Sequence, residues 1–150
     1  MQPSDRFRRQ HDELVTIILE IEQALGARDF PTRVREVRRM MARLKGKLTV
    51  HSTMENDALY PRLLDNADPQ VRVRSQRLFD ELGTIYQAFA EHHAKWSSVE
   101  AMEAEPSAYV RSTQEIFTML KIRMDRENNE LYPLADREGS ERVPSSESPS

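Results

Sequence analysis

At 150 residues, with 31% charged side chains and only four glycines, the chain is long enough for one domain with its own core. It has no cysteine, which excludes disulfides, thiolate metal sites and cysteine nucleophiles, so any metal must be held by His, Asp, Glu or backbone oxygen. A net charge of -3 is too mild to make nucleic acid or an anionic membrane the main partner, and no stretch approaches the ~20 apolar residues of a membrane span.

High charge and scarce glycine suit long amphipathic helices rather than strands. The N-terminal Met1-Gln2-Pro3-Ser4-Asp5-Arg6 has no apolar run behind it, so no signal peptide is expected and a soluble, cytoplasmic protein is. Ser4 or Asp5 is placed to cap a first helix over about 5–26, stopped by Gly26. His11, Leu14, Ile18, Ile21 and Leu25 form its inward stripe. Asp29-Phe30-Pro31-Thr32 turns the chain into a second helix, about 32–59, with Val37, Met41, Leu44, Leu48, His51 and Glu55 inward. Pro61 is expected to kink or close that helix. Asp68-Pro69 reads as a cap followed by proline in the first turn of a third helix, about 69–102, with the stripe Leu78, Leu82, Ile85, Phe89, His93 and Trp96. Glu105-Pro106-Ser107 opens a fourth, about 106–134. From Gly139 the chain turns to Ser, Glu and Pro, and 139–150 is expected to be a disordered tail behind a domain of residues 1–138.

One pattern occurs twice. Leu44, Leu48, His51, Glu55 and Leu59-Tyr60-Pro61 are matched, each 72 residues on, by Ile116, Leu120, Arg123, Glu127 and Leu131-Tyr132-Pro133. The spacing is one face of a helix, so the polar pair lies on the apolar stripe itself. Buried polar groups need partners, and His-x-x-x-Glu one turn apart can aim both side chains at one metal ion. Four amphipathic helices with short connections make an up-down-up-down antiparallel bundle, an all-α fold. In that topology helix one starts where helices two and four finish, so His11, His51/Glu55 and Arg123/Glu127 converge at one end.

These residues resemble those of the hemerythrin-like, or HHE cation-binding, family over about residues 5–135. The resemblance is carried by Gln10-His11-Asp12, His51-Ser52-Thr53-Met54-Glu55, Glu127 and the two Leu-Tyr-Pro endings. It implies a pair of irons bridged by carboxylates. The ligands come from a His on helix one, His-x-x-x-Glu on helices two and four, and a His on helix three. His11, His51, Glu55 and Glu127 match those ligand positions. Arg123 stands at the helix-four His, and Leu82 at the helix-three position, with Glu81 on its flank. His92 and His93 lie about 16 Å further along helix three, too far to replace it. His93 is expected at the core boundary beside Trp96 and His92 in solvent.

One iron is therefore expected rather than two, or none if Arg123 pairs with Glu55 and Glu127 in a metal-free network. Three functional readings stay open. The first is a sensor or binder of oxygen, nitric oxide or peroxide that reports to another protein chain. The second is a metal-free interaction or regulatory bundle. The third is a di-iron-type oxidase or peroxidase, in which Arg123 would steer an anionic or peroxide substrate. The basic run from Arg33 to Lys47 is expected to be a solvated face matched to Glu13, Glu20 and Glu22. The methionines, among them Met54, are read as core filler, and Tyr60 and Tyr132 as helix-end packing with hydroxyls in water.

Overall fold

The structure is a computed structural model that describes residues 1–137; the tail assigned to 139–150 lies outside the described residues, as does Glu138. Every described element is helical. Helix α1 (Asp5–Gly26) buries Leu14, Ile18, Ile21 and Leu25 as its periodicity requires, together with Phe7 and His11. Ser4 stands at its N-cap but does not cap it. The Ser4 hydroxyl and N–H both donate to Asp136, at 2.8 and 3.0 Å, so the cap position instead joins the two ends of the described chain. Gly26 ends α1 without adopting a left-handed conformation.

A 3₁₀ turn, Phe30–Thr32, delays α2 to Val34–Met54, and α2 buries Val37, Met41, Leu44, Leu48 and His51. The chain does not close at Pro61. It widens into a π-helical turn, Glu55–Leu59, and continues as α3 (Tyr60–Leu64). The same widening recurs 72 residues later, at Glu127–Leu131, and 132–137 is helical again. Proline offers no N–H and its ring crowds the carbonyl four residues back. The π turn relieves this by letting the N–H of Tyr60 reach the Glu55 carbonyl, and that of Tyr132 the Glu127 carbonyl.

Helix α4 (Pro69–Lys95) starts as its sequence indicates, with the Asp68 carboxylate accepting from the Gln70 N–H at 2.9 Å. It stops earlier than its apolar stripe suggests. Ser98 takes an extended conformation and its hydroxyl accepts from the Ala101 N–H, which begins a separate α5 (Val99–Ala104). Helix α6 (Pro106–Arg126) carries the second copy of the repeated pattern.

Helix α1 packs on α2 and α6, and α4 packs on the same two, around a shared core that includes Ile18, Leu44, Leu82 and Phe117. Side-chain pairs fix the directions. Glu13 in the first half of α1 meets Lys47 late in α2, and His92 late in α4 meets Thr113 early in α6, so early residues of one helix meet late residues of its neighbour. Of the acids expected to face the basic run, Glu13 does so, whereas Glu22 pairs with α6 instead. This arrangement brings the start of α1 to the ends of α2 and α6.

Candidate metal centre

His11 from α1, His51 from α2 and the two glutamates that open the π turns, Glu55 and Glu127, are all buried. One potential ligand atom from each lies within 4.8 Å of all the others. Helical register explains the grouping: His51 and Glu55 are one turn apart on the core face of α2, and Glu127 holds the equivalent place on α6.

Each imidazole is oriented from behind. His11 donates its Nδ1 proton to the Asn128 side-chain oxygen at 2.9 Å, and His51 donates its own to Gln10 Oε1 at 2.6 Å. Gln10 is held in turn by its amide N–H on the Met54 sulfur. Both Nε2 atoms therefore face inward, 3.1 Å from each other. His11 Nε2 is 3.0 Å from Glu127 Oε1, and His51 Nε2 is 3.2 Å from Glu55 Oε2. Fixing Nδ1 through a second residue and turning Nε2 on carboxylates is how proteins prepare histidine as a metal ligand.

The far side of the cluster is closed by Arg123, which is also buried. Its Nε donates to Glu127 Oε2 at 3.2 Å and its Nη2 to Glu55 Oε1 at 3.3 Å. Its Nη1 donates to the Leu82 carbonyl, and the guanidinium lies over the Tyr86 ring, 3.4 Å from the centroid. Each glutamate thus divides its oxygens, one toward the imidazoles and one toward the guanidinium. Leu82 itself packs into the core and contributes only backbone. Glu81 does not turn inward; its carboxylate is paired at the surface with Arg126.

The electrostatics follow from two buried carboxylates against one fixed cation. Burial, then the Glu127 charge, pushes the Glu55 pKa up. Glu127 is buried too, but its close contacts with His11 and His51 and the charge of Arg123 hold it well below the usual carboxylate range. Burial disfavours a charged His51, yet hydrogen bonds to Glu127 and Glu55 outweigh this and raise it to about 9. With no metal present, a proton on His51 supplies the positive charge that the cluster requires. A divalent ion would supply the same charge and accept both Nε2 lone pairs, so the donor set fits a metal.

Two expectations about tyrosine and one about histidine are corrected. Tyr60 and Tyr132 do not point their hydroxyls at water; both are buried. The Tyr132 hydroxyl donates to Glu55 Oε2 at 2.8 Å and lies 3.0 Å from His11 Nε2. Tyr60 has no partner for its hydroxyl among the described residues. The π turn is the reason: it rotates the residue five places after each glutamate back toward the core. The repeated Glu-x₅-Pro spacing was the sequence signal for it. His92 is not solvated. It sits between Ser112, Thr113 and the Tyr109 ring, and His93 stacks on Phe89. Neither joins the cluster.

No helix among the described residues is long and apolar enough to cross a membrane. The sequence matches one family model, described as the hemerythrin HHE cation binding domain, over residues 2–135. Neither the curated proteins nor the solved structures contain a significant match.

Proposed function

Since this chain belongs to the hemerythrin HHE cation-binding family, we propose that its bundle holds a single iron and senses or binds oxygen, nitric oxide or peroxide there. His11, His51, Glu55 and Glu127 are the residues that would hold it. The observation that carries this reading is the division of each glutamate between the imidazole pair and Arg123. Carboxylates that bridge two positions are expected of a two-cation centre, and here one position is taken by a guanidinium built into the chain. Guanidinium stays protonated at any working pH. At ~5 Å and an effective dielectric of ~20, it repels a divalent ion by about 6–7 kcal/mol, which disfavours a second metal beside it.

The chemistry that bound iron supplies is ligation of a small diatomic or peroxide at an open coordination position. The chain's own part is to fix the donors and exclude water. Gln10 and Asn128 set the imidazoles, Tyr132 holds Glu55, and Phe7 lies edge-on to His51 with its ring 5.9 Å away. The three ligand-bearing helices meet at this centre, so ligation there would pull on α1, α2 and α6 together and be reported at the surface to another chain. We place this protein in the cytoplasm, with the described helices forming one domain.

A metal-free regulatory bundle is the second reading, favoured by the fact that Arg123 and a proton on His51 already balance the buried charge. Elemental analysis of protein expressed in iron-supplemented medium separates the two. One iron per chain is expected, lost in His51→Ala and Glu55→Ala and retained in His93→Ala. No metal in the unmodified protein would leave the metal-free reading standing alone.

A further inference from the structure

Outside the metal centre, α4 and the last helical turns form a surface cleft of about 370 Å³. Four arginines line it: Arg74 and Arg77 from α4, Arg126 from α6, and Arg137. Its apolar floor includes Leu78 and Leu134. The acids around it are already engaged. Glu130 and Glu81 share Arg126, and Asp68 faces Arg137. The side chains of Arg74 and Arg77 are exposed and take part in no ion pair or hydrogen bond among the described residues. Two guanidinium groups three residues apart on one helix point the same way, with a concave apolar surface between them and α6.

We propose that this cleft is an anion site for a small organic phosphate monoester. Guanidinium groups offer several N–H donors in a plane, and a phosphate's three terminal oxygens can accept from more than one of them at once. A carboxylate would be satisfied by a single arginine and leave the other idle. The floor then receives the organic part of the ligand, for which the volume leaves room beyond the phosphate itself. Because Arg126, Asn129 and Glu130 line the cleft while the adjoining Glu127, Asn128 and Tyr132 face the metal centre, one π turn forms a wall of both sites. The anion site needs no metal and does not rest on the metal reading.

The test is calorimetric titration at near-physiological salt with phenyl phosphate, inorganic phosphate and vesicles carrying a phosphate-monoester lipid. One saturable site for phenyl phosphate is expected, with a Kd below about 1 mM and tighter than for inorganic phosphate. Arg74→Gln with Arg77→Gln should weaken it at least about tenfold while helicity stays unchanged, since both side chains are exposed. Arg28→Gln, a substitution just beyond the far end of α1, should leave binding as it was, and so should prior removal of metal by a chelator. Absence of a saturable site, equal affinity for inorganic phosphate, indifference to the double substitution, or binding to vesicles alone would each overturn the proposal.

Discussion

Tyr132 and Tyr60 occupy matching places in the repeated pattern and test opposite consequences of burying a hydroxyl. Tyr132 donates to the Glu55 carboxylate, a hydrogen bond to a charged group worth about 1.5–3 kcal/mol. Tyr132→Phe should therefore destabilise the metal-free protein by roughly that amount in chemical denaturation, and lower metal affinity by about tenfold or more through loss of the restraint on Glu55. Tyr60 buries a hydroxyl that has no partner among the described residues, so Tyr60→Phe should be neutral or stabilising by up to about 1 kcal/mol. A larger loss from Tyr60→Phe than from Tyr132→Phe would mean that the assignment of the two hydroxyls is reversed. The burial and grouping of His11, His51, Glu55 and Glu127 were legible in the sequence because their spacing places them on apolar stripes. Tyr132, Gln10 and Asn128 were not read as part of the site, because their roles depend on backbone pitch and on which way an amide faces.

At the scale of elements, the starts of the helices were more legible than their ends. Asp68 caps α4 as its position before Pro69 indicates, whereas the change to π pitch before Pro61 and Pro133 is invisible to a 3.6-residue period. The apolar stripe also ran past the break between α4 and α5, since Trp96 and Met102 are buried on either side of it. Where α4 meets α6, His92 offers a pH test. The Thr113 hydroxyl donates to the Tyr109 carbonyl, so the contact with His92 uses the imidazole Nε2–H, leaving Nδ1 buried and without a partner among the described residues. Burial, reinforced by the nearby charges of His93 and Lys95, pushes the His92 pKa down from 6.5 to about 4. The unfolded chain therefore binds this proton more readily. The stability that depends on neutral His92 is complete above pH ~6.5 and is lost as pH falls toward ~4, by about 1–3 kcal/mol. Denaturation of the metal-free protein across that window should be less pH-dependent in His92→Gln; an unchanged slope would show that His92 does not titrate in this way.

Across the whole molecule, the two ends of the described chain are joined beside the buried His–Glu cluster. Asp136 accepts from the Ser4 N–H and hydroxyl, and Arg8 reaches both Ser4 and the Tyr132 ring. Asp136→Ala leaves these donors unpaired and should cost about 1–3 kcal/mol of stability, read as a lower denaturation midpoint. No change would mean that the ends are not tied in solution. The convergence of α1, α2 and α6 on one end was legible because antiparallel packing allows no other meeting point for His11, His51 and Glu127. What the sequence left open was where Arg123 would go, because a long side chain can extend to water or fold inward. It folds inward, between the two glutamates and against the Leu82 carbonyl. The most direct test of a single-metal centre is the iron content per chain of the unmodified protein beside that of Arg123→His combined with Leu82→His. One iron in the former and a rise toward two in the latter are expected. Two irons in the unmodified protein, with the absorption of a bridged pair, would contradict it.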